Sequence, residues 1–119
     1  MLTMDHRLDL RAPCDMLLNK YVAGTPHVCR ASNISRGGMF IHKLLEPERE
    51  GVEVVGLQFQ LPGSDRIITA AGRVVFAHPW VRATGVRFTN LSEEHRGLIE
   101  RYILDRVDWK RALGEMKSG

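Results

Sequence analysis

Two stretches of this chain carry residues suited to recognising an anion. One is the pair Arg7 and Arg11. The other is the polar, glycine-ended run Asn33-Ile34-Ser35-Arg36-Gly37-Gly38. A guanidinium presents a planar fork of N–H donors that fits phosphate oxygens two at a time. The spacing keeps both arginines on one side in either backbone state. On a helix, positions i and i+4 share a face, and in an extended chain an even separation preserves the side. In the second run, Asn33 and Ser35 can bond nearby backbone and shape a turn. Paired glycines permit positive φ and close backbone approach. Arg36 lies beside backbone N–H groups of the kind that form a concave anion site. Each stretch alone also has an ordinary reading. Arg7 and Arg11 fit surface arginines in weak ion pairs with Asp5 or Asp9, and the glycine run fits a plain hairpin turn.

Other chemistries find less support. The five histidines are scattered without metal-ligand spacing, so no metal site is expected. Asp5, His6 and Asp9 sit together in a short polar leading segment and read as solvated or ion-paired. Ser32 and Ser35 have no placed base, and Gly37-Gly38 lacks the Lys-Ser/Thr of a nucleoside-triphosphate loop. No enzyme is expected. The chain has 119 residues, 17 Lys and Arg against 14 Asp and Glu, and a formal charge of +3. That size suits one domain with a real core. Arginine supplies most of the positive charge, and the mild excess fits a small anionic ligand better than a DNA or RNA polymer. A polymer-binding barrel would want aromatic stacking platforms, whereas Phe40, Phe59, Phe76 and Phe88 read as core positions. The two cysteines, Cys14 and Cys29, read as reduced and structural, although a disulfide is conceivable if their strands pair. No apolar run resembles a signal peptide or a membrane span, so no membrane insertion and a cytoplasmic location are expected.

The elements that must position these residues follow from turn signals and alternation. Residues 1–11 form an arm. Strands are expected over Ala12–Ala23, His27–Ile34, Gly37–Leu44, Val52–Leu61, Arg66–Ala77 and Val81–Thr89. A phase change near Val55-Gly56 reads as a bulge, and Gly72 in mid-strand marks curvature in a closed sheet. Leu98, Ile99, Tyr102 and Ile103 then recur at helical spacing, with Asn90 and Ser92 as rival caps. Residues 12–107 thus make the strand-and-helix body. Residues 108–119 are a tail or a helix extension in which Trp109, Leu113 and Met116 either fold back or meet a partner. Six short-linked strands and a terminal helix argue an antiparallel barrel or closed sandwich.

Taken together and in order, Arg7-Leu8-Asp9-Leu10-Arg11 and Asn33-Ile34-Ser35-Arg36-Gly37-Gly38 resemble the two signature motifs of the PilZ domain family, Arg-x-x-x-Arg and Asp/Asn-x-Ser-x-x-Gly. Gly85-Val86-Arg87-Phe88, followed by a polar turn and a helix, is similar to the family's closing strand. The resemblance spans roughly Arg7 to Ile103. It implies an all-β fold, a six-stranded antiparallel Greek-key β-barrel with a C-terminal α-helix. It also implies binding of cyclic di-GMP, with no other cofactor. Arg7 and Arg11 would clasp phosphates and guanines from the arm, and Asn33, Ser35 and Gly38 would form the complementary surface, with Arg36 as an auxiliary phosphate contact. Guanidinium suits such a ligand: it forks onto phosphate or onto guanine O6 and N7, and it stacks on a base. Asn33 stands where many members have aspartate, and His6 precedes the arginine motif where some members carry a third arginine. The resemblance implies a single-domain receptor that signals through a conformational change and a separate, unidentified effector protein. The alternative is an adaptor of the same fold that acts in motility or pilus assembly through protein contacts without the nucleotide.

Overall fold

In β1 (Arg11–Val22) every second residue is buried. Ala12, Cys14, Met16, Leu18, Lys20 and Val22 are buried, and the positions between them are exposed or half-buried. That period-2 pattern needs a curved partner surface on one side only, and a barrel wall supplies it. The computed structural model describes residues 10–44, 54–78, 80 and 82–118, with the backbone alone for residues 78 and 107–118. After β1 come β2 (Thr25–Ser35), β3 (Gly38–Lys43), β4 (Val54–Phe59), β5 (Ile68–His78), β6 (Ala83–Leu91) and a helix, α1 (Glu93–Ser118).

All pairings are antiparallel, and the sheet closes in the order β1-β2-β3-β6-β5-β4. The first four strands stand as β4-β1-β2-β3, which is a Greek key. Closure satisfies the strand edges. The expected six-stranded antiparallel barrel with a C-terminal helix is the observed fold. Its interior holds Ile34, Met39, Ile41, Leu57 and Ile68, all almost completely buried.

The helix closes one side of this core. Ile99 and Ile103 are buried in it, and Leu98 and Tyr102 pack beside them. Burying such a side chain contributes about 1.5–3 kcal/mol. The Tyr102 hydroxyl donates to the Pro13 carbonyl at 2.7 Å, and Arg66 pairs with Glu94 in the first helical turn. Ser92 is the cap: its hydroxyl accepts from the His95 N–H at 3.1 Å. Asn90, the rival, lies inside β6 opposite Ala71. The helical backbone continues unbroken through residues 108–118. The side chains of Trp109, Leu113 and Met116, for which folding back or partner contact was expected, lie outside the described residues.

Three local expectations need correction. Arg11 does not end the arm but begins β1, opposite Ser35. The bulge expected at Val55-Gly56 is absent, since β4 pairs with β5 in unbroken register. Val55, Leu57 and Phe59 simply share the inward phase, and Val54 faces solvent. Third, among the described residues the glycines at positive φ are Gly24 and Gly63, not Gly37 or Gly38. At Gly72, read from the sequence as a point of curvature, the β5–β6 register shifts between Ala71 and Gly72.

Cys14 and Cys29 are buried free thiols. Their strands pair, but Cys29 stands opposite Leu18. Burial, and secondarily the adjacent Asp15 carboxylate, pushes the Cys14 thiol up to about 12. It is therefore an inert, protonated core residue at neutral pH.

Candidate functional site

The site begins with a slip in β2. Cys29 and Ala31 are buried, and strict alternation would put Asn33 inward as well. Instead the β2–β3 register shifts between Ala31 and Asn33, and the β1–β2 register shifts between Pro13 and Met16. The β2–β3 shift inserts a residue in β2 and reverses the phase that follows there, whereas burial along β1 keeps its alternation through its own shift. Ile34 therefore enters the core, and Asn33 is left half-exposed on the wall. There its side-chain oxygen Oδ1 accepts a 2.6 Å hydrogen bond from Arg11 Nη1. The first motif's second arginine and the second motif's first residue are thus in direct contact across 22 residues of sequence.

Ser35 is only 3% exposed, and its hydroxyl organises the turn from beneath. Oγ accepts from the N–H groups of Gly37 and Gly38, both at 3.2 Å, and donates to the Gly38 carbonyl at 3.3 Å. The hydroxyl is accordingly engaged within the protein. Gly38 is fixed by a different constraint. It pairs with Arg87 of β6, and a Cβ there would stand 2.1 Å from the Val86 carbonyl oxygen. A backbone hydrogen bond from Phe88 N–H to the Gly37 carbonyl, 2.7 Å, ties the turn to the same strand. So Gly38 allows β3 and β6 to approach, and Gly37 has open space around it.

Arg36 goes the other way. Its Nε lies 2.6 Å from Glu100 Oε2 of α1, an ion pair whose N–H is not aimed well enough for a hydrogen bond. With Leu10, Ile103 and Leu104 these two residues line a pocket of about 380 Å3 at the helix. Arg11, Ser35, Gly37 and Gly38 line a different cleft, of about 490 Å3. Arg7 lies outside the described residues. The structure therefore gathers Arg11, Asn33, Ser35 and Gly38 in one place and separates Arg36 from them.

The far wall of the 490 Å3 cleft was missed by sequence reasoning. It consists of Val75, Phe76, Gly85, Val86, Arg87 and Phe88. Of the four phenylalanines read as core, Phe59 is buried, but Phe76 is 45% exposed. A register shift between Val74 and Phe76 turns it out of the barrel. It stacks on Phe40 with ring centroids 5.7 Å apart, and Phe40 meets the His42 ring edge-on at 5.2 Å. Only the local signature Gly85-Val86-Arg87-Phe88 hinted at this strand. Among the described residues no cluster of three His, Cys, Asp or Glu could hold a metal, and no helix is long and apolar enough to cross a membrane.

Comparison with known proteins agrees with this architecture. No curated protein matches the chain. Among solved structures, the Bacillus subtilis inhibitor of motility MotI superposes with a TM-score of 0.72 at 18% identity, over 86% of this chain and 51% of MotI, so the chain spans about half of that protein's length. The PilZ domain of CeSA from a cellulose-synthesising bacterium superposes at 0.60 and 15% identity, over 80% of this chain and 95% of that one. The PilZ domain of Escherichia coli YcgR, solved with c-di-GMP, superposes at 0.60 and 14% identity, over 88% and 94%. At such identities the likeness is one of fold. The sequence itself goes further: the family model for the PilZ domain matches residues 5–105, both motifs and the closing strand included, and the chain belongs to the PilZ domain family.

Proposed function

We propose that this chain is a cyclic di-GMP receptor that passes its signal, through a change of shape, to a separate effector protein. The observation that carries the reading is the 2.6 Å contact of Arg11 with Asn33 beside an open cleft floored by the Ser35–Gly38 turn. The ligand brings two phosphodiester charges and two guanines. Arg11 is exposed and already held at the turn, so less freedom is lost when it forks onto phosphate or a guanine edge. Arg7, four residues earlier, would close over the ligand from the arm. Asn33 supplies amide donors and an acceptor to a guanine edge or sugar. Ser35 and Gly38 act by holding the turn. Arg36 has two roles open to it in this scheme: it ties the turn to α1, and it is the cation nearest the turn that a phosphate could draw away from Glu100. No catalytic step and no metal are invoked, and a cytoplasmic setting suits a soluble nucleotide signal.

Calorimetric titration with cyclic di-GMP tests the reading and counts ligands per chain. Saturable binding that weakens in Arg7→Ala and Arg11→Ala is expected. Absence of heat and of any spectroscopic change up to high micromolar ligand would end it.

A second reading, an adaptor working through protein contacts without the nucleotide, rests on a different face. Leu17, Val28 and Ile67, each more than half exposed, line an apolar groove with Gln58 and Gln60. It is favoured if a defined partner binds wild type and an Arg7/Arg11 double alanine variant with equal affinity.

A further inference from the structure

A groove of about 390 Å3 lies on the outer face of β1, β2 and β4, away from both motifs. Asn19 lines it, opposite Val28 of β2 on one side and Gln58 of β4 on the other. Leu17, Val28 and Ile67 supply its apolar surface, each more than half exposed, and Gln60 adds a third amide. From the row of Leu17 to the row of Tyr21, the outward residues of these strands carry one charge, Arg30. That charge is matched by Asp15 at 2.5 Å. In a chain that is 26% charged and carries +3, the face is neutral and nearly free of ionic groups. From Leu18 to Tyr21, β1 is paired on both sides, so no strand can be added there. Whatever covers the groove must lie on the face of the sheet.

We propose that this face pairs with the same face of a second copy, making a weak two-fold dimer. A two-fold contact sets one patch against itself, so the patch must be self-complementary. Three features meet that demand. The face is neutral, so two copies meet there without the repulsion that a net positive chain brings elsewhere. Amides donate and accept, so Asn19, Gln58 and Gln60 can each bond an amide of the second copy. Asp15 and Arg30 carry opposite signs side by side, and both stay exposed beyond their own contact. A two-fold rotation lets Asp15 of each copy face Arg30 of the other. The run from Asp15 to Tyr21 across three strands covers roughly 20 by 15 Å. That is less than the about 800 Å2 per partner of a standard interface, so the dimer should dissociate on dilution. The pairing does not depend on whether the nucleotide binds. The ordinary account is that three apolar side chains on a strand face are scattered surface residues. It predicts a monomer at every concentration.

Analytical ultracentrifugation of the full chain, without nucleotide, from low micromolar to submillimolar concentration tests the pairing. The mass should rise from one chain toward two as concentration increases. Val28→Lys sets like charges into the centre of the contact and should weaken self-association by about tenfold or more. Asp15→Arg and Arg30→Glu should each be monomeric alone, because like charges then face one another. Mixed in equal amounts, these two variants should pair, since each then meets the opposite sign. All three positions are exposed, and circular dichroism checks that each variant is folded. If Val28→Lys folds poorly, the two charge variants and their mixture decide the matter. A wild type that stays monomeric throughout the range refutes the proposal and leaves the face to a different protein or to solvent. A dimer that Val28→Lys leaves intact forms elsewhere and also refutes it. So does a mixture of the charge variants that stays monomeric. None of these outcomes touches the receptor reading, which the calorimetric titration tests separately.

Discussion

Arg11 and Arg36 flank the same turn, and the structure uses them in opposite ways. Arg11 leans across the outer wall onto Asn33, beside an open cleft. Arg36 reaches round the other side to Glu100 on α1. Both residues carry the same fork and lie close to the same glycines, so composition alone makes them interchangeable. What separates them is the strand phase on which each is mounted. The bulge in β2 puts Asn33 outside and so gives Arg11 a polar partner there, whereas Arg36 sits past the end of β2, where the helix is the neighbour. In the proposed receptor one side of the turn would meet the ligand, and the other side is joined by the Arg36–Glu100 pair to α1.

The largest effect on this arrangement is expected from Gly38, with its neighbour Gly37 as the contrast. Gly38→Ala puts a Cβ 2.1 Å from a backbone oxygen of β6, and no side-chain rotation relieves that. The loss of stability should reach or exceed the roughly 1–3 kcal/mol of ordinary overpacking. Gly37→Ala enters open space at an unremarkable φ and should stay within about 0.5 kcal/mol. Urea denaturation of the two variants measures the contrast. Equal midpoints would mean that β3 and β6 are not held at this distance.

Next in size is Arg11→Ala, whose effect belongs to binding. Loss of charge-assisted bonds should weaken cyclic di-GMP by about 1.5–3 kcal/mol, roughly ten- to a hundredfold. Because the side chain is exposed, stability should hardly move. Ser35→Ala should do the reverse. It leaves the Gly37 and Gly38 N–H groups without their acceptor in a buried turn, a cost of about 1–3 kcal/mol in stability. Its affinity loss should follow only from the misplaced turn. If Ser35→Ala left the melting temperature untouched yet abolished binding, its hydroxyl would be contacting ligand directly.

The sequence made the barrel readable because each strand is bounded by turn residues and most carry alternation that survives in the structure, as β1 does. The arginine pair and the Asn-Ser-Gly run were readable through their joint, ordered resemblance to the PilZ motifs, since each alone has an ordinary reading. What stayed hidden depends on register between strands. Phe76 shares parity with Ile68, Ala70 and Gly72, so it reads as core until the shift at Val74/Phe76 turns it outward. Asn33 shares parity with Cys29 and Ala31 and would read as inward for the same reason. The ion pair of Arg36 with Glu100 spans 64 residues, and no local pattern announces it. Nor does the sequence reveal that Gly85 is required by a ring from the neighbouring strand, where a Cβ would lie 2.1 Å from Phe76 Cε1. Phase within a strand is a local property. A bulge is a relation between two strands, and it moved the residues that matter most at this site.

The smallest energetic effect carries the sharpest test of the comparison between the two arginines. Arg36 and Glu100 are each about a third exposed, 36% and 35% by side chain, so their pair is open to solvent screening. Glu100→Gln should therefore change stability by less than about 1 kcal/mol. Its consequence should appear elsewhere. If the pair joins the turn to α1, cyclic di-GMP should alter backbone amide exchange of α1 in wild type, because a bound phosphate competes for the Arg36 guanidinium. In Glu100→Gln the helix is already uncoupled, so its exchange should be the same with and without ligand, while affinity stays equal or rises slightly through loss of the competitor. Ligand-dependent exchange in α1 that is unchanged by Glu100→Gln would show that the signal leaves the turn by another route, with β6 next in line through the Phe88–Gly37 bond.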